Sequence, residues 1–137
     1  MAEEFEVTLR ICSEDPEGVF RKIVMTRSVG SYELVYRERV QIHDQYFDTL
    51  QRTLSAKGYA LRIRTGGKRR ILGLKGNERV NEWGGIEREE IEGPWSREIA
   101  ARVFETVRAV PFIEEDFDPA DPLKTLTRLG LSVIQSR

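Results

Sequence analysis

Arg62 and Arg64 stand two residues apart in a run whose intervening positions, Tyr59, Leu61 and Ile63, are apolar. Strand side chains point to opposite faces with period two, so this run reads as a strand with both guanidinium groups on one surface. Gly66-Gly67 then supplies a short hairpin loop, and the returning strand Arg70 to Lys75 puts Lys75 on a face of the same sign. The hairpin presents three cations, and such a face, when desolvated, needs counter-charge or an anionic ligand. Two carboxylate pairs repeat the i, i+2 spacing, Glu4 with Glu6 and Glu90 with Glu92. Carboxylates so paired on one strand face suit a hard divalent cation such as Mg²⁺ or Mn²⁺. On an arbitrary strand pair the same charges would more often be a solvated face.

The positioning elements follow from periodicity and punctuation. Glu4 to Cys12 alternates, with Phe5, Val7, Leu9 and Ile11 on the apolar face, and reads as a strand. Asp15 and Pro16 open a helix with an apolar stripe of Val19, Phe20, Ile23 and Val24, and Gly30 follows its end. Tyr32 to Thr49, rich in Val, Tyr, Ile and Phe, reads as one extended stretch, and Leu50 to Lys57 as a helical turn stopped by Gly58. Beyond the hairpin, Gly84-Gly85 introduces a strand from Ile86 to Glu92, closed by Gly93-Pro94. Ser96 caps a helix carrying Ile99, Val103 and Val107, with Pro111 as terminator. Asp121-Pro122 starts a last helix lined by Leu123, Leu126 and Leu129 and ended by Gly130, and Ser132 to Arg137 begins a further strand.

Composition narrows the partners. Across 137 residues, 22 basic against 23 acidic side chains leave a net charge of −1, which argues against a nucleic-acid coat or an anionic-membrane binder. No stretch approaches the roughly 20 apolar residues that span a bilayer. The opening MAEEFEVTL has neither a positive n-region nor a long apolar run, so a cytoplasmic home is expected. The one cysteine, Cys12, cannot form an internal disulfide and reads as a small buried hydrophobe; His43 has no metal-ligand spacing around it.

Several segments together carry a family resemblance. Tyr46-Phe47-Asp48-Thr49, then Gly58-Tyr59-Ala60-Leu61-Arg62-Ile63-Arg64, a glycine turn and Leu72-Gly73-Leu74-Lys75-Gly76 resemble the CYTH superfamily, the triphosphate tunnel metalloenzymes. Glu4-Phe5-Glu6-Val7-Thr8 matches both glutamates of the family's E-x-E-x-K strand but has threonine in place of its lysine. Arg88-Glu89-Glu90-Ile91-Glu92 resembles a later R-x-E-x-E element, so the likeness is strong from residue 4 to residue 92 and looser over the remainder.

The resemblance implies an α+β fold, an antiparallel β-barrel tunnel of about eight strands with helices packed outside. The chain supplies about six by periodicity. A single CYTH-like domain over residues 1–137 lacking the second half of the tunnel is therefore expected, with open strand edges inviting a homo-oligomer. It further implies a divalent-metal-dependent phosphohydrolase acting on inorganic triphosphate, thiamine triphosphate or a nucleoside triphosphate. The alternatives are a class IV adenylyl cyclase and a non-catalytic polyphosphate- or nucleotide-binding module. By resemblance, Arg62, Arg64, Lys75 and Arg88 would bind phosphate, Glu4, Glu6, Glu90 and Glu92 would hold Mg²⁺ or Mn²⁺, and Tyr46 and Lys75 would activate the attacking water.

Overall fold

The computed structural model describes residues 8–137. Its described residues divide into two compact units, with the boundary between residues 39 and 40.

In the first unit, Glu4 and Glu6 lie outside the described residues, and Thr8 to Cys12 have no regular structure. The strand expected over Glu4–Cys12 is thus not formed in its described half: alternation alone does not hold a strand without a neighbour among the described residues, and Leu9 is 81% exposed. Cys12 is exposed, not buried. Helix α1, Pro16–Met25, forms where the caps place it, with the Asp15 carboxylate accepting from Gly18 N at 3.0 Å. Its apolar stripe buries none of its residues. The Arg39 guanidinium lies 4.7 Å over the Phe20 ring and pairs with Glu17 at 2.6 Å. Gly30 does not end the helix, which stops at Thr26; it turns the short hairpin of β1, Ser28–Val29, and β2, Tyr32–Glu33, with φ of 61°.

The continuous strand expected over Tyr32–Thr49 is broken. Residues 34–41 carry no regular structure, and Leu34, Val35, Tyr36 and Val40 are exposed. Among the described residues strand propensity here meets no pairing partner, and pairing resumes at β3, Ile42–Asp48.

The second unit is a five-stranded antiparallel sheet in the order β6-β5-β4-β3-β7. β4 is Ala60–Gly66, β5 Arg69–Val80, β6 Ile86–Pro94 and β7 Ser132–Ser136. Among the described residues the sheet is not closed, leaving β6 and β7 as edges. The β4–β5 loop is Gly67-Lys68, with φ of 58° at Gly67, a conformation glycine adopts without Cβ strain. Beyond Lys75, β5 outruns β4 and pairs with β6 alone as a two-stranded arm, its tip exposing Val80, Trp83 and Ile86.

One sheet face is apolar and packs on helices. Phe47, Leu61, Ile63, Leu72 and Leu74 form a single core with Ile99, Ala100, Val103, Phe104 and Val107 of α3, Arg97–Val107, and Leu126 of α4, Pro122–Arg128. In α4, Leu126 is buried and Leu129 packs against the core as expected, but Leu123 is 44% exposed while Thr125 is buried. Thr125 can be buried because its Oγ1 accepts from Asp118 N at 2.8 Å.

The helical turn α2 is shorter than expected, Thr53–Ala56, because Asp48 at the end of β3 organises it. The Asp48 carboxylate accepts from Thr49 N, Leu54 N, Ser55 N and Ser55 Oγ at 2.6–3.1 Å. Burial pushes its pKa up, but these hydrogen bonds together outweigh burial and hold it below the ordinary value.

Ser96 caps α3 as expected, its Oγ accepting from Ile99 N at 3.2 Å. Ser96→Ala should lower stability by about 1 kcal/mol, read as a lower urea midpoint at unchanged slope. An unshifted midpoint would mean that water caps the helix equally well.

Candidate functional site

The other sheet face is charged, and register rather than alternation alone assembles it. Arg64 stands directly opposite Asp44, and Arg62 opposite Tyr46 on one side and Gly73 on the other. Gly73 in turn faces Glu92, and Lys75 faces Glu90. A bulge after Lys75 re-phases the arm so that Glu78 meets Arg88. Tyr46, Arg62, Arg64, Lys75, Arg88, Glu90 and Glu92, all selected from sequence, therefore share one face.

The structure supplies the counter-charge. Arg64 holds Asp44 in a two-pronged contact, Nε donating to Oδ1 at 2.8 Å and Nη2 to Oδ2 at 2.9 Å. The hydrogen bond from Arg64 lowers the pKa of Asp44, and the nearby guanidinium charges act in the same sense against burial. Arg62 lies 3.9 Å from the same carboxylate and 3.6 Å from Glu92, and Lys75 lies 3.5 Å from Glu90. Arg88 pairs with Glu78.

Arg62 is the least solvated of these cations, its side chain 11% exposed, and among the described residues its buried Nε has no hydrogen-bond partner. A buried donor without an acceptor is costly, of the order of 1–3 kcal/mol, which marks a place where an acceptor belongs. The neighbouring space is kept open by Gly73, where an added Cβ would stand 3.6 Å from Arg62 Nη2 and 3.9 Å from Glu92 Oε2. A cleft of about 20 Å³ lies there, walled by Tyr46, Arg62, Lys75, Glu90 and Glu92. That is room for about one water within the cleft itself, while the partly exposed side chains of Arg64, Lys75, Glu90 and Glu92 extend the charged face around it.

Two members escaped the sequence reading. Asp44 precedes Tyr46 by two residues, and strand alternation was the signal that could have placed it on this face. Arg137 sits with its guanidinium 5.5 Å over the Tyr46 ring, brought there by β7 pairing with β3, for which no local signal exists.

Glu90 and Glu92 are oxygen donors on one face, each more than half exposed. Two carboxylates suit Mg²⁺ or Mn²⁺, hard cations of which Mg²⁺ commonly keeps several waters. Among the described residues no group of three or more His, Cys, Asp or Glu is gathered for a metal, and Glu4 and Glu6 lie outside them.

The fold and this face define an α+β protein whose antiparallel sheet buries one side under helices and arrays paired charges on the other. The CYTH domain model matches residues 25–137, and the chain belongs to the CYTH family. No curated protein matches the sequence significantly.

Among solved structures, a candidate adenylyl cyclase from Hippeastrum with a dominant triphosphatase activity shares the fold. It has a TM-score of 0.52 at 17% identity, over 93% of this chain and 60% of that one. A candidate adenylate cyclase from Vibrio parahaemolyticus gives a TM-score of 0.40 at 20% identity, over 73% and 42% of the two chains. Another from Bacillus halodurans gives 0.38 at 20% identity, over 71% and 48%. The chain thus spans 42 to 60% of the length of these structures. Among the described residues no helix is long and apolar enough to cross a membrane.

Proposed function

We propose that the charged face binds the triphosphate group of a small molecule and hydrolyses it with a divalent cation. The observation that carries this reading is the buried Arg62 Nε, a donor without an acceptor among the described residues, beside a cleft that Gly73 holds open. Arg62 and Arg64 offer planar donor forks to phosphate oxygens, and Lys75 a point charge. Glu90 and Glu92, together with Glu4 and Glu6 from the E-x-E strand, would hold Mg²⁺ or Mn²⁺. Bound there, the cation would neutralise and polarise the phosphate oxygens. Tyr46 and Lys75 would orient the water that attacks the terminal phosphorus as the bridging P–O bond breaks. Arg88, tied to Glu78 on the arm, is the outlying phosphate contact.

A second reading, a triphosphate binder without turnover, is favoured by one observation. Thr8 stands where the family's E-x-E-x-K strand has lysine, so one cation of that pattern is replaced by a neutral side chain.

Turnover with Mg²⁺ or Mn²⁺ on inorganic triphosphate, thiamine triphosphate and ATP, beside a calorimetric titration of each, separates the readings. Orthophosphate release supports hydrolysis, binding without product supports the second reading, and cyclic AMP from ATP would make the protein a cyclase. Arg64→Ala should weaken triphosphate binding by about 1.5–3 kcal/mol, roughly 10- to 150-fold, and added salt should weaken the wild type. Unchanged affinity in a folded variant would return Arg64 to a structural role.

A further inference from the structure

A second concave site lies at the turn end of the β4–β5 hairpin. The rise of about 3.3 Å per strand residue puts Arg69 about 20 Å along β5 from Lys75, so this site is separate from the cleft at Gly73. Its volume is about 570 Å³, the size of a small-molecule pocket. Lys68, Arg69 and Arg70 form the hairpin side, and Pro94, Trp95 and Pro119 an apolar side. The walls are tied together: Trp95 N donates to Arg70 O at 2.9 Å, Trp95 Nε1 donates to Asp118 O at 3.0 Å, and the Arg70 guanidinium donates to the Ala120 carbonyl. The Trp95 ring stacks on Phe117 with centroids 5.1 Å apart, which fixes its plane.

The lining has one sign of charge. No carboxylate contributes to it, and neither Lys68 nor Arg69, both exposed, enters an ion pair among the described residues. Two free cations at one side of a preformed groove and a fixed indole with prolines at the other match a flat ring that carries phosphate. We propose that this groove binds a nucleoside phosphate, with the ring against Trp95 and the phosphate on Lys68 and Arg69. A nucleic-acid strand fits less well, because the chain as a whole is near neutral, at a net charge of −1.

The test is Trp95 fluorescence titrated with AMP in a Trp83→Phe background. The chain has two tryptophans, and Trp83 is 90% exposed at the arm tip, so this change isolates Trp95 without disturbing the core. AMP carries no triphosphate, which keeps the titration independent of the charged sheet face. A saturable change with a midpoint below about 1 mM is expected, weakened about tenfold or more by Lys68→Ala with Arg69→Ala. That double variant should keep the Trp95 emission maximum of the free protein, which reports the fold, and the wild-type affinity for inorganic triphosphate. Adenosine and inorganic phosphate, each half of the ligand, should each bind at least about tenfold more weakly than AMP. Absence of a saturable change, insensitivity to the double variant, or phosphate binding as tightly as AMP would overturn the proposal. If triphosphate turnover fails while the AMP titration holds, only the reading of the charged face falls.

Discussion

Asp44→Asn is expected to destabilise the fold by about 2–4 kcal/mol, more than any other single change on the charged face. Asp44 is 13% exposed and its one carboxylate serves both Arg64, at 2.8 and 2.9 Å, and Arg62, at 3.9 Å. Asparagine keeps the shape and one acceptor but removes the charge, and it turns an –NH₂ toward a guanidinium that can only donate. Arg64, 34% exposed, can recover water; Arg62, 11% exposed, cannot, and so it sets the larger part of the loss.

The pH dependence gives a second signature. Because the folded-state pKa of Asp44 is lowered, its contribution is present above the unfolded carboxylate value of about 3.9 and is lost as pH falls through the lower folded-state value. Urea midpoints measured from neutral pH downward should therefore fall steeply on the acid side for the wild type and less so for Asp44→Asn. Equal midpoints and equal acid slopes would show that solvent serves Arg64 and Arg62 as well as Asp44 does.

What the sequence revealed of this face was local, and what it hid was long-range. Alternation placed Arg62 and Arg64 together because one strand carries both, and Lys75 joined them through a two-residue loop whose geometry fixes register. The Asp44↔Arg64 pairing depends on the register of β3 against β4, and the reading of Tyr32–Thr49 as one strand offered no point from which to count it. Arg137 reaches Tyr46 only because β7 returns from the far end of the chain to the edge of β3.

The same distinction runs through the helices. Caps located α1, α3 and α4 correctly, since Asp15, Ser96 and Asp121 each accept a backbone N–H within their own first turn. Burial was another matter. Leu123 and Thr125 exchanged roles because Thr125 found an oxygen and an N–H at Asp118, a partner invisible to hydrophobic phase. The stripe of α1 and the apolar residues 34–36 show the converse, pattern and propensity present without a surface that buries them.

Glu90→Gln with Glu92→Gln should move metal-dependent turnover and metal-free binding in opposite directions. Both carboxylates are more than half exposed, and their contacts with Lys75 and Arg62 are 3.5 and 3.6 Å long, so the fold should lose little. Glutamine preserves size and polarity but not the charge that a hard cation requires, so Mg²⁺- or Mn²⁺-dependent triphosphate turnover should fall by about 100-fold or more, since a polarising cation is worth several kcal/mol. In the absence of metal the same change releases Lys75 and Arg62 from their partners and removes two charges that repel phosphate, so triphosphate affinity should hold or rise. Glu4→Gln with Glu6→Gln should reproduce the first effect if those two carboxylates share the cation. Calorimetric titration of inorganic triphosphate with and without Mg²⁺, run beside turnover, resolves the two effects. If metal dependence is unaltered in the Glu90/Glu92 double variant while the fold is intact, these carboxylates are only counter-ions to Lys75 and Arg62, and a cation must be held elsewhere or not used.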